Sequence, residues 1–201
     1  MKKIALILAA VMMMTLFAAC GGNASETTAP ETTVPETTVA PTEAMTEPEI
    51  TGEPEFEMPE ADAELSEMFD KLYAEVAVEL PVMTMPVDLA DEYNRTTYLG
   101  GAAAEGIDAA AFSESMMGAQ GYSISLVRTE NEETAKAVAQ TMFDNIDTRK
   151  WICVEASDKQ AASYGSYAVF IMVDPELGVT AEQLMTGFAT VFGGEIENII
   201  K

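Results

Sequence analysis

Apolar residues recur at three- and four-residue steps from Leu65 through Met68, Leu72, Val76 and Leu80, and Phe69 and Tyr73 widen the stripe. That period predicts an amphipathic helix docked on its own domain. Asp62 is placed to cap its first turn, Glu67 and Lys71 sit one turn apart as an ion pair, and Pro81 ends it. Pro81 to Asp108 is less regular: Asp88 to Tyr93 suits one short helix, and Gly100-Gly101 through Gly106 a flexible turn region.

After that the pattern repeats weakly. The first copy has a strand around Phe112 to Met117, a break at Gly118 to Gly121, and a strand Tyr122 to Arg128. Tyr122, Ile124 and Leu126 alternate there with Ser123 and Ser125, which predicts one buried and one polar face. A helix follows, with Thr129 and Glu132 as its capping box and Ala135, Val138, Ala139, Met142 and Ile146 as its stripe. In the second copy, Lys159 to Tyr164 reads as a strand, Gly165 as a turn, and Ser166 to Val173 as a strand apolar on both faces, hence central. Thr180 and Gln183 form a further capping box, and Leu184, Phe188 and Val191 line a helix that stops at Gly193-Gly194. Two strand-strand-helix units predict an α+β domain: an antiparallel sheet with helices packed on one face.

The N-terminal pattern is of a different kind. Lys2 and Lys3 precede Ile4 to Ala19, which is apolar except for Thr15 and is short for a membrane span. It ends Leu16-Phe17-Ala18-Ala19-Cys20-Gly21-Gly22, which resembles a bacterial lipobox, although Leu is usual where Phe17 stands. The resemblance implies a signal peptide over residues 1–19 and a diacylglycerol thioether on Cys20, anchoring the chain to the extracytoplasmic face of the cell membrane. The other reading is an ordinary signal peptide cut near Ala19, or an uncleaved anchor.

From Asn23 to Glu64, Glu-Thr-Thr-Ala-Pro, Glu-Thr-Thr-Val-Pro and Glu-Thr-Thr-Val-Ala-Pro decay into Glu-Pro-Glu mixtures. Prolines break ladders and glutamates repel one another, so residues 20–64 read as a lipidated cysteine plus an extended, disordered spacer, leaving 65–201 as the globular domain. Composition sharpens this division. The formal charge is -24, and the spacer supplies twelve acids and no base, while twenty-two acids and eight bases belong to the domain. Such a chain lacks the basic footprint of a nucleic-acid binder.

The stretch Ala161-Ala162-Ser163-Tyr164-Gly165-Ser166-Tyr167-Ala168-Val169, together with Ile124 to Ile146 and the lipobox-plus-linker layout, resembles the surface lipoproteins of domain-of-unknown-function family 4358. These are found mainly in Gram-positive anaerobes. The resemblance covers about the last ninety residues and implies a fold and a location, without any activity.

The chain has no histidine, which removes the Ser-His-Asp triad, the Cys-His dyad, imidazole metal ligands and the usual neutral-pH base. Cys153 is the only cysteine besides Cys20, so no disulfide forms within the domain, and its run Trp151-Ile152-Cys153-Val154 predicts a small buried hydrophobe. Asp144, Asn145, Asp147 and Arg149 lack the spacing of a calcium loop, and Glu130, Glu132 and Glu133 suit a helix N-terminus without any ligand. Tyr122, Tyr164 and Tyr167 fall on adjacent strands, where either they line an aromatic patch or, as the shared inward faces of Tyr122 and Tyr167 favour, those two belong to the core. Gly100-Gly101 and Gly193-Gly194 lack a phosphate-loop fingerprint. No catalytic, cofactor-binding or metal-binding residue is assigned, and no cofactor is expected. The expectation is a surface-exposed, non-catalytic module binding a protein, peptide or cell-wall component. The alternatives are a small carboxylate-dependent hydrolase and a solute-binding lipoprotein feeding a transporter.

Overall fold

The computed structural model describes residues 59–196 and 198–201; the signal-like segment, Cys20 and most of the spacer lie outside the described residues. Among the described residues no helix is long and apolar enough to cross a membrane. Helix α1 spans Ala63–Glu75, and the Asp62 carboxylate accepts from the N–H groups of Glu64 and Leu65, as the cap predicts. Asp62 and Glu64 therefore belong to the folded domain, whose first element begins two residues before the expected boundary at Leu65. The helix stops five residues short of Leu80, with Val76 extended. Leu80 precedes a proline, which disfavours the helical region, and the chain there turns into strand β1, Val82–Pro86.

The remaining elements are α2 (Glu92–Leu99), β2 (Ile107–Ser115), β3 (Tyr122–Thr129), α3 (Glu132–Asn145), β4 (Asp158–Tyr164), β5 (Tyr167–Val173), a short 3-10 turn (Pro175–Leu177), α4 (Ala181–Phe192) and β6 (Asn198–Ile200). Both expected strand-strand-helix units are present, as β2-β3-α3 and β4-β5-α4. The six strands form one antiparallel sheet in the order β1-β2-β3-β5-β4-β6, so β5 is central as its two apolar faces require.

The α+β class and the antiparallel sheet stand as expected, but the helices cover both faces rather than one. Tyr122, Ile124 and Leu126 of β3 and Val169, Ile171 and Val173 of β5 pack with α1 and α4. Val127, Ala168, Phe170 and Met172 point the other way, under α2 and α3. The β3 face that reads as polar is consequently buried, with Ser123 and Ser125 each 1% exposed. Close packing of α1 on α4 depends on Gly187, where a Cβ would lie 2.6 Å from Val76 Cγ2 and 2.7 Å from Leu72 Cδ1.

Caps decide the helix starts. Thr180 and Gln183 form the capping box of α4, and Gly193 closes that helix in the left-handed conformation. For α3 the cap is Asn131 rather than Thr129, whose hydroxyl donates instead to the carbonyls of Asn131 and Ser166. Asp91, not Asp88, caps α2, displacing that helix four residues beyond its expected start. Asp88 turns its carboxylate onto the N–H of Ala90, a local bond that holds the chain out of helix.

Candidate functional site

Three segments meet at one end of the sheet: α2, the β2–β3 turn and the loop from Asp147 to Ser157. In α2 the Asp91 cap fixes the register, which leaves Tyr93 in solvent and turns Tyr98 onto the sheet. The Tyr98 ring stacks on Phe112 with centroids 3.7 Å apart. The long loop closes on itself where the N–H of Ala156 donates to the Thr148 carbonyl at 2.9 Å. It packs against the start of β3 because Gly121 has no side chain; a Cβ there would stand 2.9 Å from Val154 Cγ1.

That closure directs Lys150 inward. Its ammonium lies 3.0 Å from Glu114 Oε1, donates to Ser123 Oγ at 3.1 Å, and sits 4.4 Å and 5.1 Å from the ring centroids of Tyr98 and Trp151. Tyr98 donates to the second Glu114 oxygen at 3.3 Å. The two charged side chains are only 13% and 16% exposed. Burial holds the Lys150 pKa below the ordinary lysine value, against the pull of Glu114. Burial, then the Glu114 charge, raises that of the Tyr98 phenol. Lys150 thus has a carboxylate, a hydroxyl and two ring faces as its partners.

The three segments that meet here also carry large hydrophobic side chains in solvent. Tyr93 is 73% exposed, Met116 65%, Met117 52% and Ile152 86%, four of the five large hydrophobic residues so exposed among the described residues. Tyr93, Met116, Lys150 and Trp151 border one recess of about 340 Å³. A larger recess of about 1310 Å³ runs between α1 and the sheet edge at β1, lined by half-buried Met83, Thr84 and Met85 and exposed acids of α1. It is broad and holds no buried polar group.

The residues singled out from the sequence are dispersed. Cys153 is exposed, not buried, and its φ is +62°. The apolar run holding it is no strand, because the closed loop passes through that left-handed residue and turns Ile152 and Cys153 outward. Tyr122 is core: its hydroxyl donates to Tyr73 at 3.2 Å, and Tyr73 is bonded to Ser113 at 2.6 Å. Tyr164 and Tyr167 lie at the other end of the sheet, half-buried against Phe192. Tyr167 is thus not fully core, and the three rings do not form one patch. Asp144 accepts from Gln140, Asp147 from the Arg149 N–H, and Arg149 pairs with Glu155, so these groups do not converge. Glu132 pairs with Lys136 on the α3 surface. Among the described residues no cluster of three metal-ligating side chains occurs.

Glu114, Lys150, Tyr98, Met116 and Ile152 were not legible as a site, because Glu114 and Lys150 are far apart in sequence and loop hydrophobics have no period. The one available signal was Met116-Met117 directly before the Gly118 turn, an apolar pair where turns are usually polar. No protein-family model matches the chain, and no curated protein or solved structure matches it.

Proposed function

We propose that this chain is a bacterial lipoprotein, held by a lipid on Cys20 at the extracytoplasmic membrane face, whose domain is a non-catalytic module binding a protein or peptide. The observation that carries the binding role is the exposure of Tyr93, Met116, Met117 and Ile152 on the three segments that meet at the Glu114–Lys150 ion pair. Exposed apolar side chains scattered singly need no explanation, but four on segments that meet at one recess suit a partner surface. Aromatic and methionine side chains supply adaptable contact area there. The lipobox-like Ala18-Ala19-Cys20, the Glu-Thr-Thr-Pro spacer and the resemblance to family 4358 support the anchored, surface-exposed location.

The test has two arms. Met116→Ser combined with Ile152→Ser is expected to keep stability within about 0.5 kcal/mol and to abolish capture of the cell-surface proteins that the wild type captures from intact cells. Equal capture by both would refute the surface. Cys20→Ala is expected to move the protein from the detergent phase to the aqueous phase, and unchanged partitioning would refute the anchor.

A further inference from the structure

β1 lies at one edge of the sheet, and among the described residues β2 is its only neighbouring strand. Two bonds at its ends set the phase of the ladder: the Met116 N–H donates to the Pro81 carbonyl, and the Val87 N–H to that of Ala110. Alternate residues of an antiparallel pair turn both backbone groups to their neighbour. Met83 and Met85 therefore bond to β2, while Val82 and Thr84 direct N–H and C=O away from the sheet. No hydrogen bond to those outward groups occurs among the described residues. Pro86 shares their phase, so its missing N–H shortens the open edge without costing the ladder a bond.

The recess of about 1310 Å³ runs along this edge. Met83, Thr84 and Met85 all border it, and because successive side chains point to opposite faces, what the three share is their backbone edge. Its other wall is the α1 stripe Ala63, Ser66, Glu67 and Asp70, turned aside from buried Leu65, Phe69 and Leu72. Glu60, Glu67 and Asp70 are the charged residues of the lining, all exposed acids. Glu67 pairs with Lys71 at 2.9 Å, and Glu60 and Asp70 have no ion-pair partner among the described residues.

We propose that this edge adds a strand from another protein, an extended segment with lysine or arginine at alternate positions and apolar residues between them. Val82 and Thr84 supply the ladder bonds, as in other cases of strand addition. Val82 packs on the α1 face of the sheet and Met85 on the opposite face. One set of alternate side chains in the added strand consequently faces the α1 acids, and the other lies beside half-buried Met83 and Met85. Charge decides the occupant. A second copy would set these acids against the same acids, and the chain from Asn23 to Met58 carries acids without a single base. Both are repelled where a basic strand is drawn in. Tyr93, Met116, Met117 and Ile152 do not line this recess, so the surface is independent of the apolar one at the Glu114–Lys150 pair.

The probe is a capped peptide of about seven residues alternating lysine and valine, added to the full-length chain while amide hydrogen exchange is followed residue by residue. In the free chain the Val82 and Thr84 amides should exchange faster than those of Met83 and Met85. The peptide should slow both saturably, with a Kd on the order of 100 µM at low salt. A peptide with glutamate in place of lysine, and the lysine peptide N-methylated along its length, should each bind at least about ten-fold more weakly. Glu67→Gln combined with Asp70→Asn, both exposed on α1, should weaken the lysine peptide by about ten-fold and leave exchange in the free chain unchanged. Absent saturation, equal binding of the lysine and glutamate peptides, or binding that survives N-methylation would each overturn the proposal. So would slow exchange at both amides in the free chain, which would mean that the edge is already filled, by the chain's own N-terminal residues or, where protection rises with concentration, by a second copy.

Discussion

Arg128 and Lys150 are both cations held by carboxylates, one at each end of the sheet, and their surroundings set opposite roles for them. Arg128 spreads its fork over two acids, Asp62 at 2.9 Å and Glu64, where α1 begins. The Tyr167 hydroxyl donates to Glu64 beside it, and Arg128 remains 25% exposed. Lys150 has one acid, two aromatic rings and a hydroxyl, and little water. The guanidinium is pushed further toward its charged form by the Asp62 hydrogen bonds, whereas burial pulls Lys150 away from its own. The difference teaches what each cluster contributes. A bidentate pair in partial solvent fastens one element to another at small net gain. A desolvated pair adds little net stability but penalises any arrangement that separates its members, so it fixes the loop carrying Trp151 and Ile152.

The largest expected effect comes from breaking the buried pair on one side. Glu114→Ala leaves the Lys150 amine buried without its counter-charge, and urea unfolding should register a loss of about 3 kcal/mol. Combining Glu114→Leu with Lys150→Met should recover the wild-type value within about 1 kcal/mol, because the cost lies in stranding a charge. A single variant no worse than the double would contradict the contrast. Arg128→Ala should cost less, about 1 kcal/mol, and that loss should shrink near 1 M salt, whereas the Glu114→Ala loss should not.

The smallest effect is in pH. The Arg128 hydrogen bond is the main reason the Asp62 carboxyl titrates below its ordinary value of 3.8. The unfolded chain therefore takes up this proton first on acidification. The stabilisation is complete above the ordinary carboxylate range and is lost as pH falls through the lower, folded value. Asp62 is a third exposed, so solvent screening holds the amount to about 0.3 kcal/mol. Asp62→Asn should flatten the acid limb of the stability curve by that amount, measured against wild type, and an unchanged limb would detach Asp62 from the comparison.

Period and capping carried much of the fold into the sequence. The α1 stripe, the serine alternation in β3, the unbroken run Tyr167–Val173 and the Thr180/Gln183 box each express a local rule. What escaped is decided at long range. β1 is five residues beginning after one proline and ending on another, and only pairing with β2 makes it a strand. β6 is three residues long and depends on β4 in the same way. Ser123 and Ser125 look like a wet face because alternation records polarity, not cover; α3 folds over them from elsewhere in the chain. The site was hidden for a related reason. Lys150 is one base in an acidic sequence until the loop closes at Thr148 and Ala156, and only then does it meet Glu114.

The clamp of Arg128 on the first turn of α1 also has a mechanical meaning. A pull arriving along the chain from its N-terminal side reaches Asp62 and Glu64 before any of the apolar contacts of α1, and passes through the guanidinium into β3, which is flanked by β2 and β5. The clamp thereby stands between such a pull and the first apolar contacts of the helix.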